Sequence, residues 1–297
     1  MSWKPIVVGV DLSPEAAGAA VFAVEAAQRA ATACYLVHAV HDGLASGHTP
    51  YPYTGPDKKA RRQIVAALEN RVPAAVLPTL TVHRGRPAAV LKGAVAARGA
   101  ELVVLGGKHH STLGRWLGGS TGLNVARTTA VPLLVTVGEP AIRRVLVAVD
   151  QSGAARPTLA AAERYAALFG AELRALSVIE PLPVLPEVPQ PDVVDYHKLS
   201  EETVARDIWS LIRTPDVNTL VRHGAARETI LREAAEWHAD LLVVGSHGKG
   251  WGKRMLVGSV TEGLINHLPA SLLVVPAAAA AAGTEARAFS AVNEEGT

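Results

Sequence analysis

The residues best suited to chemistry cluster in Gly245–Ser259, GSHGKGWGKRMLVGS, which follows the apolar run Leu241–Val244. Gly245, Gly248, Gly258 and Ser259 hold fixed places in it, and Lys249, Lys253 and Arg254 add positive charge. Glycine lets a ligand approach the backbone where a Cβ would collide. The closing Gly258-Ser259-Val260-Thr261-Glu262 reads as a helix start, with Ser259 at the N-cap and Glu262 completing a capping box. A helix start offers unpaired N–H groups and partial positive charge, which suit an anion. Strand, glycine turn and helix start in that order make a cradle for phosphates. Ser259 keeps two readings: a cap alone, or a cap whose hydroxyl also serves a phosphate.

The common phosphate loops do not fit. A Walker-type loop needs Gly-Lys before Ser or Thr, but Gly252-Lys253 precedes Arg254 and Gly107-Lys108 precedes His109. Gly250-x-Gly252 has Met255 where a dinucleotide fingerprint needs its third glycine. His109-His110, with His38 and His41, raises a metal site, but no cysteine or carboxylate completes a ligand set, so none is assigned.

The elements that must position this loop are written twice. Ile6–Asp11 is IVVGVD and Val145–Asp150 is VLVAVD, so Asp11 and Asp150 stand 139 apart (150 − 11). Gly106 and Gly245, Gly85 and Gly224, and Ser120 and Ser259 repeat that spacing, and AELVVLG at Ala100–Gly106 lies over ADLLVVG at Ala239–Gly245. A repeat this long is a duplicated domain rather than a solenoid unit. The domains fall at 1–139 and 140–277, with 278–297 a disordered tail. In each copy, apolar runs of buried parallel-strand type alternate with helix patterns, the first opening at Ser13-Pro14-Glu15. The strands of the first copy run near Ala33–Val40, Leu80–Arg84, Leu102–Gly106 and Leu133–Val137, and its later helices near Asp57–Val72, Pro87–Arg98 and Ser120–Thr129. The fold class is α/β: two tandem copies of a five-stranded parallel, doubly wound, flavodoxin-like (Rossmann-like) sheet with helices on both faces. Proline-rich Tyr51–Pro56 and Pro181–Pro191 read as stiff connectors after each second strand.

In such a sheet ligands bind beyond the strand carboxyl ends where the order reverses, between strands one and four. Asp150 ends strand one and Gly245 opens the loop after strand four, so the acidic residue and the glycine cradle converge. An Asx turn into the next helix is the competing reading of Asp150.

The spacing G-x2-G-x9-G-S over Gly245, Gly248, Gly258 and Ser259, with Asp150 opposite, resembles the nucleotide-binding signature of the universal stress protein family in its ATP-binding branch. The resemblance implies that Val149 and Asp150 border adenine and ribose and that Val178 faces the base. It implies further that Val244, Gly245, His247 and Gly248 line ribose and α-phosphate, and that Gly258, Ser259 and Val260 hold the outer phosphates of ATP, with magnesium. Ala148 before Val149 departs from the commonest pattern and gives the base a smaller wall. The first copy keeps Asp11, Gly106, Gly119 and Ser120, but it has His109 in place of Gly248, Ala39 in place of the base-facing valine, and no acidic residue three after Ser120. A weakened or lost first nucleotide site is expected. The resemblance also implies that the two domains pair through their last strands, near Leu133 and Leu272, and leaves a homodimer open.

Composition bounds the rest. A formal net charge of +2 gives no electrostatic case for nucleic acid or a membrane surface. The single Cys34 excludes an intrachain disulfide and reads as a small core residue. MSWKPIVVGVD has no signal-peptide core, and no apolar run spans a membrane, so a cytoplasmic protein is expected. A nucleotide-binding regulatory module serving a stress response and a protein partner is preferred over an ATP-hydrolysing or adenylating enzyme. No second carboxylate or catalytic histidine marks the loop, although slow hydrolysis stays open. With few aromatics to stack an isoalloxazine ring, a flavin subunit is weaker still.

Overall fold

The computed structural model describes residues 2–40, 56–107, 119–181, 193–247 and 257–276. The tail from 278 lies outside them, as do 51–55 and 182–191 of the proline-rich connectors. Two compact units divide the chain, one built on Met1–Ala141 and the other on Ile142–Leu264.

The first copy runs β1 (Ile6–Gly9), α1 (Pro14–Arg29), β2 (Cys34–Val40), α2 (Pro56–Leu68), β3 (Thr81–Arg84), α3 (Pro87–Arg98), β4 (Leu102–Gly107), α4 (Gly119–Thr128) and β5 (Leu133–Val137). The second runs β6 (Arg144–Ala148), α5 (Ala155–Phe169), β7 (Glu172–Ile179), α6 (Val193–Asp207), β8 (Asn218–His223), α7 (Ala226–Glu236), β9 (Leu241–Gly245), α8 (Ser259–Asn266) and β10 (Ser271–Val275). Strand order is β3-β2-β1-β4-β5 in the first copy and β8-β7-β6-β9-β10 in the second, the doubly wound α/β class expected from the sequence. The order reverses at β1/β4 and at β6/β9, both parallel pairs.

The central strands form because their residues are β-branched or aliphatic on both faces. Val7, Val8, Val103 and Val104 are fully buried in the first copy, as are Val145, Leu146, Leu242 and Val243 in the second. Each such side chain contributes about 1.5–3 kcal/mol by leaving water. The helices follow from composition and caps. Alanine-rich α1 starts where the Ser13 hydroxyl accepts the Ala16 N–H at 3.2 Å and Pro14 takes a first-turn place without needing an N–H. α3 and α5 end on Gly99 (φ 58°) and Gly170 (φ 63°), whose left-handed backbone a side chain would oppose. Observed bounds differ from the expected ones by a few residues: α2 stops at Leu68, short of the expected Val72. Cys34 is buried at the start of β2, and burial pushes its thiol up to about 12. Among the described residues, no helix is long and apolar enough to cross a membrane.

Candidate functional site

The second copy's site is built at the ends of β6 and β9, which lie side by side with Ala148 opposite Val244. Two residues past β6, Asp150 Oδ1 accepts the Ser152 N–H at 3.1 Å. That is an Asx turn, and Ser152 Oγ then accepts the Ala154 N–H at 3.3 Å to launch α5. The local reading of Asp150 is therefore realised, and the turn leaves the half-buried carboxylate at the mouth of the crevice.

The far side is the join between β9 and α8. Ser246 N–H donates to the Val275 carbonyl at 2.8 Å, Gly258 N–H to the Ser246 carbonyl at 2.8 Å, and the Thr261 hydroxyl to the Gly245 carbonyl at 2.7 Å. The first ties the end of β9 to that of β10, and the other two bring the flanks of the glycine loop together and set the first turn of α8 beside the end of β9. The Glu262 N–H donates to the Gly258 carbonyl at 2.8 Å. The residue whose carbonyl takes the first helical bond is the N-cap, so Gly258 holds that place and Ser259 is the first helical residue. This corrects the expected cap by one position: the Glu262 amide, which a Ser259 capping box would use, is already bonded. Ser259 is exposed, and the first-turn amides have no acceptor within the helix.

Gly245 also has a reason that the sequence did not show. A Cβ there would stand 3.0 Å from Ala154 Cβ and 3.2 Å from Thr158 Oγ1, so its smallness lets α5 close on β9. His247 Nδ1 meets Ser246 Oγ at 2.8 Å. Its Nε2 is buried and finds no partner among the described residues, a vacancy that a buried polar atom seldom keeps.

Between these walls lies a cavity of about 450 Å³. Val149, Asp150 and Val178 line one side, and Val244, Gly245 and His247 another. Gly258, Ser259 and Val260 line the helix-start side. Segments far apart in sequence thus meet at one opening. Gly248, Lys249, Lys253 and Arg254 lie outside the described residues. Sequence reasoning missed Thr158 on α5, Thr261 on α8, Glu180 after β7, and Tyr196 and Ser200 on α6, all of which line the cavity. The Tyr196 hydroxyl donates to the Glu180 carbonyl at 3.0 Å, tying α6 to the end of β7. The i, i+4 spacing of Tyr196, Ser200 and Val204 was the available signal, since it puts all three on one face of α6.

In the first copy, Asp11 Oδ1 accepts the Ser13 N–H at 2.8 Å, an Asx turn like that of Asp150. Gly106 is held by packing: a Cβ would fall 2.3 Å from the Glu15 carbonyl. Gly119 and Ser120 open α4, and Ala39 is half-buried on β2. His41, His109 and His110 lie outside the described residues, and the His38 ring is bonded to a backbone carbonyl. Among the described residues, no group of three or more His, Cys, Asp or Glu is placed to hold a metal.

A cavity at the switch point of a parallel, doubly wound domain is where α/β folds of this class commonly hold small ligands. The profile of the universal stress protein family matches residues 2–136 and again 141–276, so the chain belongs to that family as a tandem member. It is 30% identical over 285 residues to universal stress protein Rv2005c of Mycobacterium tuberculosis, covering 88% of this chain and 93% of that one. Among solved structures, a universal stress protein from Archaeoglobus fulgidus superposes with a TM-score of 0.63 at 18% identity, covering 92% of this chain and 98% of that one. A putative universal stress protein from Pseudomonas aeruginosa gives 0.62 at 16% identity, covering 97% and 98%. At these identities, the structural likeness speaks for the fold.

Proposed function

We propose that the second copy binds an adenine nucleotide, ATP with magnesium, and that the bound state sets a conformation read by a protein partner in a cytoplasmic stress response. One observation carries this reading: residues 149–150, 178, 244–245, 247 and 258–260, separated in sequence, surround a single cavity of about 450 Å³. That volume lies within the range of small-ligand sites, roughly 300–1,000 Å³. A helix start on one wall supports an anionic group, and a carboxylate on the other supports hydroxyl donors. His247 Nε2, which has no partner among the described residues, is a further group that a ligand could satisfy.

The test is to release and identify whatever nucleotide purifies with the chain, then titrate the emptied protein with ATP and magnesium by calorimetry. The expected result is saturable binding at one equivalent per chain, from a competent second copy and a weakened first. No binding removes the proposal, and two equivalents remove its asymmetry. Many turnovers per minute, lost in Asp150→Ala, would replace the regulatory module with a hydrolase. A partner that co-purifies equally with the wild-type and Asp150→Ala chains removes the regulatory half.

A further inference from the structure

We propose that the outer edge of the first copy, built by α2, β3 and the start of α3, is a docking surface for an acidic patch on a partner protein. It concerns the other copy and does not depend on the nucleotide reading.

The observation is where the charge sits. The chain has 29 Lys and Arg and 27 Asp and Glu. Residues 57–98 take nine of the former and two of the latter, so everything else carries twenty cations against twenty-five anions. At the repeat spacing, residues 196–237 carry six against seven. β3 is the outermost strand of the first copy, and α2 packs on it, with the Arg61 guanidinium donating to the Leu80 carbonyl. Lys58, Lys59 and Arg62 are exposed on the first turns of α2. Arg84, the last residue of β3, and Arg86, the N-cap of α3, are exposed at the end of that strand. Lys58, Lys59, Arg62 and Arg86 form no ion pair with another of the described residues.

The second copy treats the same edge differently. Aligned on their buried residues, Ile64 and Leu68 against Val204 and Ile208, α2 and α6 differ by a reversal of charge: Arg61-Arg62 stand where Glu201-Glu202 stand. Gly85 and Gly224, at φ 133° and 134°, match the strand ends, where Arg84 and Arg86 replace His223 and Ala225. His223 Nε2 meets Glu201 Oε1 at 2.8 Å, so that edge is satisfied within its own fold.

Like charges gathered without partners oppose the compact state, and folding gains nothing from them. Guarding an edge strand against stray pairing needs a charge or two, which β8 keeps in Arg222 and His223, so it does not account for the cations on α2. An anionic partner does. Its extent is bounded, because the chain outside 57–98 is net acidic and would repel a long polyanion or a charged plane reaching past this edge. Residues 57–98 hold no Phe, Tyr or Trp to stack a base, and none of the described exposed large hydrophobics lies among them to enter a bilayer. A compact carboxylate patch on a protein fits those limits.

The test is fluorescence anisotropy of a short labelled peptide of alternating glutamate and glycine with the full chain. Binding should be saturable at about 0.15 M salt, where the Debye length is about 8 Å, and should weaken as salt rises. The double variant Lys59→Glu, Arg62→Glu should bind at least about tenfold more weakly. Lys198→Glu, Arg206→Glu, an equal charge change at exposed positions of α6, should bind like the wild-type chain. A thermal melt verifies each fold, and should the first variant not fold, Lys59→Gln, Arg62→Gln takes its place with the same expected direction. No binding of the peptide, or a loss that does not separate the two variants, overturns the inference. Polyuridylate, or vesicles of phosphatidylcholine with phosphatidylserine, bound more tightly than the peptide at the same salt and lost in the first variant, would overturn the assignment to a protein. Salt-sensitive self-association in sedimentation velocity, abolished by that variant, would give the edge to a second copy of the chain instead.

Discussion

The Thr261 hydroxyl donates to the Gly245 carbonyl at 2.7 Å, tying the last residue of β9 to the first turn of α8 across sixteen positions of chain. Thr261 is 4% exposed and lines the cavity. Thr261→Val keeps the shape and removes the donor. The half-buried Gly245 carbonyl then loses that donor, a loss of about 0.5–1.5 kcal/mol, the net worth of one hydrogen bond. Thermal or urea unfolding should show that loss, Thr261→Ser should recover most of it, and ATP affinity should fall in the valine variant because the helix start is less firmly aimed. A valine variant that unfolds with the wild-type chain would show that the tie does not hold the join.

Gly106 and Gly245 occupy matching places in the two copies but differ in tolerance. A Cβ at Gly106 would lie 2.3 Å from the Glu15 carbonyl carbon and oxygen, both backbone, whereas one at Gly245 would meet the Ala154 methyl at 3.0 Å. Gly106→Ala must displace α1 and should cost at least the upper end of the ~1–3 kcal/mol typical of overpacking. Gly245→Ala should stay near the lower end. Urea unfolding of the two variants checks the order, and a Gly245→Ala variant as damaged as Gly106→Ala would contradict it.

These contrasts show what could be read from the chain. The alternation of strands and helices was legible because IVVG and LLVVG are buried on both faces and carry no polar positions to blur the period. The repeat spacing then placed Asp150 against Gly245 through topology alone. The cap was missed by one residue, since the pattern Ser259-x-x-Glu262 reads the same whether the serine is the cap or the first helical residue. Glycine at 245 looked like room for a ligand, and the closeness of Ala154 is a tertiary fact that no local pattern encodes. Tyr196 and Ser200 were missed for a similar reason: helical spacing shows that they share a face, but what that face covers depends on how α6 packs.

A second relationship separates structural from exposed charge. Glu233, 5% exposed on α7, is bonded by Arg174 at 2.9 Å and approached by Arg222 at 3.3 Å. Arg174 also lies 4.3 Å from the centre of the Trp237 ring. The first copy has the same contact with partners exchanged: Arg98 on the helix sits 4.4 Å over Tyr35 on the strand. The Arg174 side chain is 18% exposed and that of Arg222 is 42%. Arg174→Met should therefore cost about 3 kcal/mol, as when a buried pair loses one member. Arg222→Met should cost about 1 kcal/mol or less. Equal unfolding midpoints for the two variants would mean that Arg222 alone suffices to neutralise Glu233.

Asp150 has two possible duties, and two substitutions separate them. Its Oδ1 accepts the Ser152 N–H at 3.1 Å, which an asparagine side-chain oxygen can also do, whereas alanine cannot. Asp150→Asn should hold stability within about 0.5 kcal/mol of the wild-type chain, and Asp150→Ala should lose about 1 kcal/mol with the turn. Ligand binding sorts differently. If the carboxylate accepts hydroxyl protons from the ligand, charge and acceptor capacity both matter, because bonds to a charged group contribute about 1.5–3 kcal/mol. Asp150→Asn should then weaken ATP roughly tenfold or more while the fold stays intact. An asparagine variant that binds ATP as tightly as the wild-type chain would reduce Asp150 to a turn-former, and the cavity would have to hold its ligand through the glycine and helix-start wall alone.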